Sequence, residues 1–265
     1  MSAQTIAEHS IYKYITESKI RIFFWSFGLV FAAIDAYSSR FFINNDAIVY
    51  IEIGEAIKEF HWHDVANFTF SPVYGLLFAI FQSLFRLSPF DEILWAKILN
   101  YIVFIGTLSS FELFLRFVKR EYLVLVNSGK NPLPWTWIQA LLYSIFLVTT
   151  LVSVRVRLIN PDMLVYSLVL ICSSVLMSIR ENPTPYYKYA LLGFLAGTGY
   201  LTKAFLFLFA PVFLIMAAFS VGSFKRSVPR IAIALFFLIL TIGPLLVMLS
   251  TKRGSFTYGE GGRHV

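Results

Sequence analysis

The sequence predicts an all-α integral membrane protein of about seven transmembrane helices, with two juxtamembrane helices in its first outer loop. Three observations predict this class. Hydrophobic residues make up 58% of the 265-residue chain, charged residues only 14%, and the mean hydropathy is +0.72. A soluble domain carries roughly 25% charged residues, so a single soluble core is excluded and lipid must be the solvent. The charges lie between the apolar runs, and basic residues gather in alternate loops.

A spanning helix needs about 20 mostly apolar residues, each rising ~1.5 Å. Candidates run over 22–39, 94–115, 135–154, 162–179, 188–202, 204–221 and 231–250, and no charge falls in 136–154, 163–179 or 231–251. The run 189–222 is too long for one span, and its interruption at Thr202-Lys203 predicts two helices meeting at a membrane surface. The first span also resembles a signal peptide, but Asp35 within Ala33-Ile34-Asp35-Ala36 is a poor cleavage context.

The segment 71–87, SPVYGLLFAIFQSLFRL, is apolar but opens with a proline and carries Arg86 near its end. At roughly 25 Å it falls short of the hydrocarbon core. The positive-inside rule decides its place. If 71–87 does not span, Lys13, Lys19, Arg21, Arg116, Lys119, Arg120, Lys130, Arg180, Lys188, Lys225, Arg226 and Arg230 are all cytoplasmic. If it spans, the clusters 116–130 and 225–230 move outside. The expectation is therefore seven spans in one domain over 1–265, with a cytoplasmic tail at 1–20, a first outer loop at 40–93 and the start of a further outer loop at 251–265.

The net charge of +7 would suggest nucleic acid for a soluble protein, but here it marks cytoplasmic loops. The 28 Phe, 14 Tyr and 5 Trp read as membrane filling and interface anchors, not a stacking platform. Cys172 is the only cysteine, so no intrachain disulfide forms. His61 and His63, two apart, point to different sides of a helix. The acids of the first loop permit a divalent ion without requiring one, so the cofactor stays open.

That loop holds Asp46, Glu52, Glu55, Glu59, Asp64, Asp91 and Glu92 against Arg40, Lys58 and Arg86. Its stretch NNDAIVYIEIGEAIKEF reads as an amphipathic helix with Glu52, Glu55 and Glu59 on one face. Asp46 has two readings, an N-cap accepting backbone N–H groups or a general base at the membrane surface. Arg155, Arg157 and Lys203 lie on the expected outer side, where the rule disfavours cations, and suggest an anionic partner such as a phosphate. The plainer alternative is snorkelling, with Arg155 or Arg157 paired to Asp162. Asp162 follows Pro161 and opens a charge-free span, where the helix dipole favours an anion. Gly193 and Gly197 form a GxxxG pair, with Gly199 beyond, and predict close helix packing.

Four local patterns carry a family resemblance: Asn45-Asp46-Ala47-Ile48-Val49-Tyr50, Ser71-Pro72-Val73-Tyr74-Gly75, Asn160-Pro161-Asp162-Met163-Leu164, and the glycine-rich span ending in Leu201-Thr202-Lys203. In this order the chain resembles polytopic glycosyltransferases of the GT-C fold, nearest to the group of dolichyl-phosphate-mannose–protein mannosyltransferases and aminoarabinose transferases. The resemblance covers 40–265 and implies an N-terminal module of seven spans and two juxtamembrane helices. It implies an inverting transfer of a sugar from a polyprenyl-phosphate donor to a hydroxyl of a lipid, glycan or protein. Asp46 is then the catalytic base. Arg155, Arg157 and Lys203 bind the donor phosphate, supported by Asp162 and Tyr50. The implied setting is a plasma or bacterial inner membrane with the active face outward.

The chain departs from the family pattern at Ala47, where a second acid is common, at Ser71, where a proline pair is common, and at Ala204, where glycine is usual. These departures leave the acceptor class open. Family members continue into a longer outer loop, further spans or a soluble domain, so a truncated product, a fragment and a minimal member are all retained as readings. Two other classes stand beside the enzyme. A transporter or flippase of an anionic lipid predicts charges in mid-span, where Glu112 is the main one noted. A non-catalytic membrane subunit predicts insertion without donor binding.

Overall fold

The computed structural model describes residues 3–85, 88–130 and 132–259. Arg86 and residues 260–265 of the expected outer loops lie outside the described residues. The helices are α1 (Ala3–Ser38), α2 (Asn45–Lys58), α3 (Trp62–Val65), α4 (Val73–Phe85), α5 (Glu92–Asn127), α6 (Trp135–Val148), α7 (Asp162–Glu181), α8 (Tyr186–Thr202), α9 (Phe209–Phe219) and α10 (Phe224–Arg253). A π-helix, Thr149–Val154, extends α6, and 3-10 turns precede α5 and α9. Among the described residues there is no strand.

Five helical segments are long and apolar enough to cross a membrane: Thr16–Ser38, Glu92–Asn127, Trp135–Val154, Asp162–Glu181 and Phe224–Arg253. This is the make-up of a multi-pass membrane protein. Helix α4 has 13 residues, too few to span. Several helices exceed the expected spans. α1 begins at Ala3, inside the expected tail 1–20, and α5 runs to Asn127 rather than to residue 115. The added turns carry Arg116, Lys119, Arg120 and Glu121, strong helix formers that continue the backbone ladder past the point where hydropathy fails.

Lipid tails are as apolar as leucine, so these helices associate through close packing and interhelical hydrogen bonds rather than through transfer from water. The GxxxG pair shows the first term. A Cβ on Gly193 would lie 1.9 Å from the Ala234 carbonyl oxygen, and one on Gly197 would lie 2.7 Å from Thr241 Cβ. Only glycine allows that approach, and the matched pairs show that α8 and α10 run parallel. The second term joins α5 to α7, where Ser110 Oγ meets Ser167 Oγ at 2.8 Å. Such bonds contribute about 0.6 kcal/mol each on average.

Helix α8 lies antiparallel to α7 over nearly its full height. Lys203 at its far end meets Asp162 at the start of α7, while Lys188 near its beginning donates to the Ser178 carbonyl at 2.6 Å. Glu112 is held between three helices, accepting from Trp25 Nε1 at 2.8 Å on α1 and from the Tyr143 hydroxyl on α6. A carboxylate so engaged is a structural tie, not a free charge along a path.

Helices α2 and α4 pack closely at two glycines. A Cβ on Gly75 would lie 2.5 Å from Ile53 Cγ2, and one on Gly54 would lie 3.2 Å from the Gly75 carbonyl oxygen. Ala47, Tyr50, Ile51 and Ile53 of α2 are buried, while Glu52, Glu55 and Glu59 are exposed, as the amphipathic pattern predicts. Tyr74 of α4 is buried and donates its hydroxyl to Asn100 Oδ1 of α5 at 2.6 Å, which fixes the pair of helices to one end of the bundle.

Candidate active site

The site is organised by the connection 155–161 between α6 and α7. The last turns of α6 widen into the π-helix, and Arg155 closes it at φ 64°, a left-handed value for a residue with a side chain. Such strain costs of order 1–3 kcal/mol and persists only where the surroundings enforce it. What enforces it here is a buried loop. Val156 and Ile159 are 1% and 0% exposed, so the neighbouring backbone groups need partners other than water.

Four polar side chains supply those partners. Asp35 Oδ2 of α1 accepts the Arg157 N–H at 3.0 Å. The ammonium of Lys97, itself 1% exposed on α5, donates to the Arg157 carbonyl. Asn100 Nδ2 donates to the carbonyls of Val156 at 2.9 Å and Leu158 at 2.7 Å. Asn44 grips Ile159 twice, accepting its N–H at 2.9 Å and donating to its carbonyl at 3.2 Å. The clamp is not among the sequence expectations, which take Asp35 only as an argument against a cleavage site and do not single out Lys97. The available signal was a polar residue inside an apolar run, which demands a partner in the bundle.

The clamp delivers α7 with Asp162 at its first turn. The Asp162 N–H is bonded to Asn160 Oδ1 at 3.1 Å, and Lys203 Nζ sits 2.5 Å from Asp162 Oδ1. Lys203 follows the last turn of α8 on extended backbone. Lys203 and Asp162 side chains are 47% and 36% exposed, so the pair stays reachable from solvent. Tyr50 closes the group from α2, 5% exposed, its ring edge-on to Tyr74 at 5.3 Å. Burial first, then the charge of Asp46, then that of Asp162, hold its phenol well above the ordinary tyrosine range. Both carboxylates are therefore felt at one ring.

Asp46 is exposed and makes no hydrogen bond or ion pair among the described residues. Its N-cap reading is corrected. The cap residue is Asn44, whose carbonyl accepts the Ala47 N–H at 2.9 Å, while its side chain is taken by Ile159. The alternative pairing of Arg155 or Arg157 with Asp162 is corrected as well, because Lys203 occupies that carboxylate. Arg155 folds back, its Nε donating to the Val152 carbonyl at 2.8 Å. Arg157 is held through its backbone, and its buried Nε has no acceptor. The structure thus gathers Asp46, Tyr50, Asp162 and Lys203, and among the described residues no hydrogen bond or ion pair joins either arginine to them.

The last turn of α10 and the segment after it pack against the expected first outer loop and the end of α8. Lys252 Nζ donates to the carbonyls of His63 at 2.8 Å and Ala66 at 3.0 Å, and the Tyr200 hydroxyl donates to the Tyr258 carbonyl at 2.6 Å. His61 lies beside Glu59 and His63 beside Asp64. Among the described residues no group of three or more His, Cys, Asp or Glu side chains is placed to hold a metal ion.

Compared with protein-family models, with curated proteins and with solved structures, the chain has no match.

Proposed function

We propose that the chain is a membrane glycosyltransferase module that moves a sugar from a polyprenyl-phosphate donor to an acceptor hydroxyl. The observation that carries this reading is the solvent-reachable Asp162–Lys203 pair at the same end as the unpaired carboxylate Asp46, the start of α2 being tied to the loop before α7 by the two Asn44–Ile159 hydrogen bonds. A displacement at an anomeric carbon needs a base for the incoming hydroxyl and cationic donors for the departing phosphate.

In this reading Asp46 takes the acceptor proton as the acceptor oxygen bonds to the anomeric carbon. The bond from that carbon to the phosphate oxygen breaks, and polyprenyl phosphate leaves with inversion at the sugar. Lys203 meets the charge that develops on the leaving oxygen, with Asp162 orienting its ammonium. The acceptor-free Nε of Arg157 is a second donor for that phosphate, and Arg155 adds charge at the loop's entry. A transporter is less well supported, because the intramembrane acids Asp35 and Glu112 are both engaged in structural bonds.

The proposal includes seven spans with a cytoplasmic N-terminus, α8 and the segment Ala204–Phe219 adding to the five long helices. Its support is that α8 covers the height of α7, from Lys188 beside Ser178 to Lys203 beside Asp162. In a Cys172→Ser background, cysteines at Glu52 and Lys130 should be labelled from outside and inside respectively; labelling of both from one side would sink this topology.

The reaction itself is tested in membranes supplied with a polyprenyl-phosphate sugar. Asp46→Asn should lower transfer by about 10²–10⁴-fold, the usual weight of a general base, at unchanged protein level. Transfer that is equal in the variant removes Asp46 from the mechanism.

A further inference from the structure

The end of the bundle away from the candidate active site carries a second polar site. Glu112 lies about 20 residues along α5 from Glu92, a displacement of ~30 Å. There α1, α5 and α6 border an open cleft of about 150 Å³, lined by Glu17, Arg21, Glu112, Arg116, Lys119 and Gln139. Arg21, Glu112 and Arg116 also border an adjoining cavity of about 460 Å³, whose wall includes Ile22 and Leu29.

The charges in this place are only partly spoken for. Lys119 is paired with Glu17, whose side chain is 12% exposed. Glu112 accepts from Trp25 and Tyr143. Arg21 and Arg116 make no hydrogen bond or ion pair among the described residues, although both border both cavities. Three cations against two carboxylates leave one positive charge, the complement of one phosphodiester monoanion. Gln139 is 5% exposed, and its Nε2 donates to the Glu17 carbonyl at 3.3 Å. That bond fixes the amide orientation and leaves the buried Oε1 without a donor. Buried acceptors are rarely left so, and this one is open to a hydroxyl or N–H donor at the cleft.

We infer that this site binds the headgroup of an anionic phospholipid that carries a free hydroxyl. Arg21 and Arg116 take the phosphodiester, with bidentate geometry available to each guanidinium. The headgroup hydroxyl donates to Gln139 Oε1. The adjoining cavity receives the start of an acyl chain against Ile22 and Leu29. The site is independent of the glycosyl-transfer reading and stands or falls separately from it.

The experiment is binding of defined lipids to the purified full chain in detergent, read by native mass spectrometry. The probes are phosphatidylglycerol, phosphatidylmethanol, which has the same charge and no headgroup hydroxyl, and inorganic phosphate. Phosphatidylglycerol should bind about 5–10-fold tighter than phosphatidylmethanol, the weight of one buried hydrogen bond. Gln139→Leu should erase that difference while leaving phosphatidylmethanol binding in place. Arg21→Gln/Arg116→Gln should weaken both lipids by at least about 10-fold; both arginines are exposed, so the variant folds. Equal binding of the two lipids, undiminished binding in the double variant, or inorganic phosphate binding as well as the lipids would each overturn the assignment.

Discussion

Replacing Lys203 by glutamine separates what the cation does for the fold from what it does for the reaction. The ammonium lies 2.5 Å from Asp162 Oδ1, but the two side chains are 47% and 36% exposed. At that exposure solvent screens the pair, and its loss costs about 0–1 kcal/mol of stability. If Lys203 meets the charge on a leaving phosphate, its loss acts on the transition state and lowers turnover by about 10²–10³-fold, or roughly 2.7–4 kcal/mol. The two effects differ enough to be read in one preparation, by thermal unfolding in detergent beside transfer from a labelled polyprenyl-phosphate sugar. The exchanged variant Asp162→Lys/Lys203→Asp rebuilds the ion pair in reverse. It should recover the ion pair's share of stability, less about 0.3–1 kcal/mol for a cation in the first turn of α7, and no activity, because the cation then stands on α7 instead of at the end of α8. A fall in transfer of less than tenfold in Lys203→Gln, or recovery in the exchanged variant, would refute the reasoning.

Two further outcomes follow from the loop and the buried ring. Asn100→Leu removes the donor to the Val156 and Leu158 carbonyls and the acceptor of the Tyr74 hydroxyl, at about 1–3 kcal/mol for each group left unsatisfied. Hydrogen exchange should then lose protection at the amides of Arg157 and Ile159, and unchanged protection there would show that the clamp does not depend on Asn100. Tyr50 bears on alkaline stability. Its folded pKa is raised above the ordinary 10.0 by burial, then by Asp46 and Asp162. Its contribution is thus complete below about pH 10 and is lost as pH rises through the raised value, because the unfolded chain gives up the proton first. Tyr50→Phe should flatten the fall in stability above pH 10 by up to one proton's slope; an unaltered slope would count against a phenol raised by burial beside the two acids.

How much was legible in the sequence differs by residue. The charge-free runs 136–154 and 231–251 read correctly as helices, and the 3.6-residue pattern placed Glu52 and Glu55 on the exposed face of α2, with the exposed Glu59 at its C-cap. Gly193 and Gly197 announced close packing, which the structure realises against Ala234 and Thr241. Asp162 and Lys203 were each picked out singly, as charges at helix ends. Their pairing was not legible, since 41 residues separate them and Arg155 and Arg157 stood nearer in sequence.

Composition, hydropathy and charge placement by themselves determined the all-helical membrane class, the helical runs and the acid-rich first loop. These are properties of consecutive residues and of their solvent, so local windows contain them. Only the tertiary structure decided that the 155–161 loop buries Val156 and Ile159 and is clamped by Asp35, Asn44, Lys97 and Asn100, across separations of 56 to 122 residues. It also decided that Asp162 takes Lys203, and that Glu112 serves as a tie to Trp25 and Tyr143. The physical reason is that each such partner satisfies a buried polar group through space. The sequence states that the group must be satisfied, but which distant residue arrives beside it is set by how the helices cross.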